Sequence, residues 1–210
     1  MDCFCRRFVF RLFTGMVVVY MKILKTTYAA FICSLYMTIT SAQAIATEPL
    51  KKALSETSAN VVFMRHALAP GVGDPAEFQI TDCSTQRNLD ETGRRQALFI
   101  GNYMRDYKIA FDIILSSQWC RCKQTADLLD MGSWEEFTGL NSFFQGYADR
   151  TDTLKKLQHK LDSLPVDTLV LMITHQVVIN AVTKISPASG GLVVYNARTK
   201  VSKEVKLKTP

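Results

Sequence analysis

Two arginines and two histidines, Arg65, His66, Arg121 and His175, are the residues whose types and placement suggest covalent chemistry. A guanidinium forks onto two oxygens of a phosphate. A neutral imidazole attacks phosphorus through one ring nitrogen while its other N–H is held by an acceptor. Gathered around one crevice, the four would neutralise a phosphate dianion and hold it in line with His66. They would also stabilise the charge that spreads over its oxygens. Singly, each has a plainer reading: an Arg-His pair ending a strand, a surface arginine on a helix, a satisfied core histidine. His159, among Lys155, Lys156 and Lys160, reads as part of a solvated helix face.

The elements around these residues favour the shared site. Val61-Val62-Phe63-Met64 is a run of four apolar residues, as in a strand buried on both faces of a parallel sheet, and it stops on Arg65-His66-Ala67. Phe111 to Leu115 is a second such run, ending in Ser116-Ser117; a helix beginning near Gln118 follows, with Trp119, Cys122, Ala126 and Leu129 on one face and Arg121 in its first turn. Thr168 to Ile173 is a third, running into Thr174-His175. In an open α/β sheet, ligands bind beyond the carboxyl ends of the strands.

Between these runs, Ala67 to Asn88 lacks periodicity and contains Pro70-Gly71-Val72-Gly73-Asp74-Pro75, so a substrate loop is expected there. Asp90-Glu91 opens a helix with Ala97, Ile100, Met104 and Tyr107 on its buried face. Trp134 to Gly146 is irregular, with a short strand expected over Phe137–Leu140. Leu154, Leu157, Leu161 and Leu164 mark a helix that Pro165 ends. Gly190-Gly191 precedes a fourth strand, Leu192–Tyr195, in a terminal hairpin. There Val201, Val205 and Leu207 alternate with Lys203, Lys206 and Lys208, lysines that would blunt an exposed edge. The fold class expected is α/β: a three-layer α/β/α sandwich with a mostly parallel central sheet.

The chain has 210 residues, 48% hydrophobic and 21% charged, with a net charge of +6. Five basic residues against Asp2 put +4 of that charge in residues 1–44, leaving +2 for the rest, too little to argue for nucleic acid. Met21-Lys22-Ile23-Leu24-Lys25, the apolar stretch Tyr28 to Ile39 and Ser41-Ala42-Gln43-Ala44 read as a secretory signal cleaved after Ala44, with Met21 as the true start. The expected organisation is a leader over 1–44, a polar lead-in over 45–59 and one domain over 60–210. The mature protein would be periplasmic or secreted, without a membrane span. Export makes the cysteines informative. Cys3, Cys5 and Cys33 leave with the leader; Cys83, Cys120 and Cys122 remain, giving one disulfide and one free thiol. Cys83–Cys120 is favoured because Cys122 shares the apolar helix face, with Cys83–Cys122 as the alternative. No zinc-like spacing is present, and neither metal nor other cofactor is expected.

Val61–Ala67, Leu89-x-x-x-Gly93-x-x-Gln96-Ala97, Ser116-Ser117-x-x-x-Arg121-x-x-x-Thr125-Ala126 and Thr174-His175, in that order, resemble the histidine phosphatase superfamily, the phosphoglycerate mutase-like fold. The resemblance implies His66 as nucleophile, with Arg65, Arg121 and His175 completing the phosphate pocket, and Gly93, Gln96 and Ala97 in structural roles. It implies a phosphorylated small molecule or phosphoprotein as substrate. Short exported members resemble phosphatases of cell-envelope phosphates such as lipopolysaccharide-core sugar phosphates. Three departures stand out. Ala67 replaces the usual glycine, crowding the backbone near phosphate; Gln176 follows His175; and Ser142 stands where mutase-like members carry an acid. The proton donor is then sought in the loop, at Asp74 ahead of Glu77 and Asp82. The alternative is a catalytically weak phosphate-binding or scaffold protein on the same fold.

Overall fold

The computed structural model describes residues 48–165 and 167–207; the leader, its start at Met21 and its cleavage site lie outside the described residues. Six strands, β1 (Val61–Arg65), β2 (Ile113–Ser116), β3 (Glu135–Glu136), β4 (Val170–Thr174), β5 (Leu192–Tyr195) and β6 (Ser202–Val205), form one sheet in the order β3-β2-β4-β1-β5-β6. β3, β2, β4 and β1 run parallel, while β5 pairs antiparallel with both β1 and β6. Among the described residues five helices accompany them: α1 (Pro49–Thr57), α2 (Glu91–Asp106), α3 (Cys120–Leu129), α4 (Arg150–Asp162) and α5 (Gln176–Thr183).

Alternation along the apolar strands sorts the core into two halves. Val62 and Met64 of β1, with Leu171 and Ile173 of β4, meet Leu50 of α1, Ile100 and Met104 of α2 and Ala126 and Leu129 of α3. Val61, Phe63, Val170 and Met172 point the other way, against Leu157 and Leu161 of α4 and Val178 and Ile179 of α5. Burial on both faces is why these strands carry continuous apolar runs. The chain steps outward from β1 to β2 to β3 with α2 and α3 on one face. It then reverses to insert β4 between β2 and β1, with α4 on the other. Right-handed crossovers require that change of face.

Helix ends follow local chemistry. Asp90 caps α2 by accepting from Gly93 N at 2.7 Å, and Asp149 caps α4 by accepting from Asp152 N at 2.7 Å. Three expectations are corrected. The segment Phe137–Leu140 is no strand: pairing is confined to Glu135–Glu136, and Thr138–Leu140 forms a short 3-10 turn. Leu140 is nonetheless buried, and its carbonyl accepts from Thr174 Oγ1 at 2.6 Å, so the run is apolar because it plugs the core. Tyr107, the residue that caps the end of α2, is exposed, its ring lying against that of Tyr103 with centroids 4.9 Å apart rather than in the core. Val201 is exposed too: β6 begins one residue later, and Val205 alone of the strand is buried.

Candidate active site

The parallel strands end level. Arg65 pairs with Thr174 and Ser116 with Ile173. The ladder continues one residue further, His66 N donating to Thr174 O and Ser117 N to Ile173 O, both at 2.9 Å. His66, Ser117 and His175 therefore emerge side by side, and the two imidazole centroids lie 5.4 Å apart.

His66 Nδ1–H donates to Ala67 O at 2.8 Å, and Arg121 Nε donates to His66 Nε2 at 3.2 Å. These partners assign the lone pair to Nε2. Burial first, then the charge of Arg121, holds the imidazole well below its ordinary pKa of 6.5, against the pull of the Ala67 carbonyl. At neutral pH His66 is a neutral imidazole whose available nitrogen faces a guanidinium. His175 Nε2 lies 2.9 Å from Ser117 Oγ, whose hydroxyl donates to Asn141 Oδ1 at 3.1 Å, so Oγ accepts from Nε2–H. Burial and the nearby charge of Arg121 depress His175 as well.

Arg121 sits in the first turn of α3, its side chain 3% exposed, and forks end-on to Asp74: Nη1 to Oδ1 at 2.7 Å and Nη2 to Oδ2 at 3.1 Å. Because the carboxylate takes the far edge of the guanidinium, the Nε edge is left facing His66. Asp74 was expected as proton donor, and its surroundings correct that reading. It also accepts from Arg87 N at 3.0 Å and from Trp119 Nε1 at 3.0 Å. Burial pushes its carboxyl up, but Arg121, the Arg87 amide and the Trp119 indole prevail and hold it below the ordinary 3.8. An ionised carboxylate with four donors is an acceptor. Glu77 and Asp82 are exposed and do not line the site; Asp82 caps a short turn through Ser84 N at 2.9 Å.

Arg65 Nη1 donates to Pro187 O at 3.1 Å, while its buried Nε has no partner among the described residues. A third arginine escaped the sequence reading. Arg87 lines the same cleft, donating through Nε to Gly73 O at 2.8 Å and through Nη1 to Ala69 O. A lone arginine inside an aperiodic loop offered no spacing by which to find it. The cleft, of about 250 Å³, is walled by Arg65, His66, Arg87, Arg121, Ser142 and His175, with the exposed Val72 and Phe144 at its mouth. Among the described residues no Asp or Glu lines it.

The remaining motif residues build the frame. Ala67 N donates to Thr125 Oγ1 at 3.1 Å, and Thr125 Oγ1 donates to Arg121 O at 2.7 Å. The Ala67 methyl packs with Ala69, Leu89 and Ala97, away from the cleft, so the expected crowding of the phosphate does not arise. Gly93 lets α2 approach the loop after β1, where a Cβ would meet Leu68 O at 1.9 Å. Gln96 ties Leu68 N, at 2.9 Å, to Ser189 O, at 2.9 Å. Cys83 is joined to Cys120 with a Cα–Cα distance of 5.6 Å, and Cys122 stays free and buried, which pushes its thiol up to about 12. His159 lies on the exposed face of α4, outside the site. Among the described residues no three His, Cys, Asp or Glu side chains gather as a metal-ligand set.

A family model, histidine phosphatase superfamily (branch 1), matches residues 61–143 of the chain. Its fold is shared by solved structures of low sequence identity. One, named for the phosphohistidine phosphatase SixA of Nakamurella multipartitia, is 19% identical, covers 71% of this chain and 95% of its own, and has a TM-score of 0.50. Another, named for an alpha-ribazole-5'-P phosphatase of Escherichia coli K-12, is 14% identical, covers 71% and 96%, and also scores 0.50. No curated protein matches the chain by sequence.

Proposed function

We propose that the protein is an exported phosphatase that hydrolyses a phosphate monoester or phosphohistidine through a phosphohistidine on His66, without a metal. The observation that carries this reading is the nucleophile geometry. A buried neutral imidazole has Nδ1–H fixed on Ala67 O and Nε2 at 3.2 Å from a phosphate-binding guanidinium. In the first step the His66 Nε2–P bond forms and the bond to the leaving group breaks, its electron pair departing with that group. Water then attacks phosphorus and the P–N electron pair returns to Nε2. One proton of the water stays on orthophosphate and the other passes to solvent. Arg65, Arg121 and Arg87 offset the phosphoryl charge. The incoming dianion favours the imidazolium form of His175, which then donates to a phosphoryl oxygen. Asp74 keeps Arg121 turned toward His66. The leader and the Cys83–Cys120 disulfide support export.

Quenching during turnover of labelled 4-nitrophenyl phosphate should trap acid-labile, base-stable phosphate on the protein. His66→Ala should abolish both label and hydrolysis, and chelators should leave the rate unchanged. Label persisting on the variant would overturn the assignment. A second reading, a phosphate-binding protein with weak turnover, draws on the lack of an Asp or Glu among the described residues that line the cleft. A general acid contributes about 10²–10⁴-fold with a poor leaving group. Because 4-nitrophenolate leaves without a proton, its hydrolysis separates the readings: binding of phosphate without turnover of this ester would favour the second.

A further inference from the structure

A second cleft, of about 360 Å³, opens beside the phosphate cleft and shares Gln176 and Val177 with it. Its walls come from the start of α4 and from α5 with the residues just after it, and they carry Arg150, Lys184, Asn180 and Ser186. Neither Arg150 nor Lys184 forms an ion pair among the described residues. Arg150 lies with its guanidinium carbon 5.5 Å from the centroid of the Phe143 ring, a stacking that orients the fork while leaving its charge unopposed. Lys184 Nζ spends one donor on Ala181 O at 3.2 Å and keeps two. Among the described residues no acidic side chain lines either cleft. Two unopposed cations in a concave wall, adjoining a site for phosphate, form a receptor for a further anion.

We propose that this cleft binds a second anionic group carried by the leaving portion of the substrate, an inference that rests on the phosphatase reading above. The substrate is then a phosphate compound with a second phosphate or carboxylate. A phosphoanhydride is the member of this class that also suits a cleft lined by no acid. When His66 Nε2 bonds to the terminal phosphorus and the bridging P–O bond breaks, the leaving phosphate takes the electron pair and departs as an anion, with no proton required. Arg150 and Lys184 would receive that anion, and the side-chain amides of Gln176 and Asn180 would bind its neighbouring oxygens.

Calorimetric titration of the mature wild-type protein with methylphosphonate and with methylene-, ethane-1,2- and butane-1,4-diphosphonate tests this without turnover, since none is hydrolysed. At least one diphosphonate should bind about tenfold tighter than methylphosphonate, the gain expected of one new charge-assisted contact. The gain should shrink with added salt. A best ligand in the methylene compound marks anhydride spacing; a best ligand among the longer ones marks a doubly charged polyol or similar. The double variant Arg150→Gln, Lys184→Gln should lose the gain while its methylphosphonate affinity stays within about twofold, which also reports an intact fold. Equal binding of all four by the wild-type protein, or a gain that survives in the variant, overturns the proposal. If aryl-phosphate turnover persists, the phosphatase reading then stands alone. Failure of methylphosphonate to bind, together with absent turnover, overturns both.

Discussion

Arg121 and Asp74 neutralise each other at the edge of the candidate active site, their side chains 3% and 4% exposed. Removing one partner of such a pair strands a buried charge and costs about 3–5 kcal/mol. Arg121→Ala should therefore lower both stability and turnover. Asp74→Asn retains shape and part of the hydrogen bonding but loses the charge that holds the guanidinium end-on. It should lower kcat/KM for 4-nitrophenyl phosphate by about tenfold or more, the loss of one charge-assisted bond in the transition state. Asp74→Glu should recover part of the loss. Steady-state kinetics beside thermal melts decide the matter. An Asp74→Asn protein with wild-type kcat/KM would show that Arg121 needs no orienting partner.

The loop from Ala67 to Asn88 is long and has little regular structure, yet it is fastened at several points to the start of α3. Cys83 is bonded to Cys120, and Gln86 Oε1 accepts from Cys120 N at 3.0 Å. Phe78 lies between Trp119, with centroids 5.0 Å apart, and Tyr147, at 4.4 Å. Gly73, with φ +73, turns the chain so that Asp74 reaches Arg121. The disulfide spans 37 residues of sequence, which the chain-entropy account values at about 3–4 kcal/mol. Cys83→Ser should lower the unfolding free energy by that order and raise KM, because Asp74 and Arg87 ride on the same loop. Cys122→Ala should do neither to a comparable degree. Protein produced from Ile45 onward, denatured without reduction, should yield a single alkylatable thiol; three would refute the bridge.

Two histidines buried as neutral imidazoles set how the folded protein answers to acid. Both have folded-state pKa values well below the ordinary 6.5, so the folded state stays unprotonated where the unfolded chain takes up protons. Their contribution is fully present above pH 6.5 and is lost as pH falls below it. The steepest loss is about 2.7 kcal/mol per pH unit for two protons. Asp74 acts lower: its depressed carboxyl contributes stability above its ordinary 3.8, lost as pH falls from there through the folded value. Urea midpoints measured from pH 7.5 to 4.5 should fall steadily, with a shallower fall in His175→Asn. A flat profile would contradict neutral burial of both rings.

Much of this was legible in the order of residues. Runs such as Val61–Met64 are apolar throughout because both faces of the strand are covered. Arg65-His66, Ser116-Ser117 and Thr174-His175 follow such runs directly, so the parallel register had to bring them to one edge. The cysteines were legible for a related reason: Cys83 lies in the loop that follows β1 and Cys120 just past the end of β2, so both belong to segments at the carboxyl edge of the sheet. What only the tertiary structure decided are partnerships across an aperiodic loop. The end-on grip of Asp74 on Arg121, the indole of Trp119 on the same carboxylate and the entry of Arg87 into the cleft join residues 13 to 47 positions apart. No helical or strand period links such positions. The role of Asp74 turned on this: its type allowed a proton donor, and the four donors that converge on it in three dimensions make it an acceptor. Likewise Phe137–Leu140 is apolar enough for a strand, but burial of Leu140 beneath Thr174, beyond the short pairing of β3, makes it a plug.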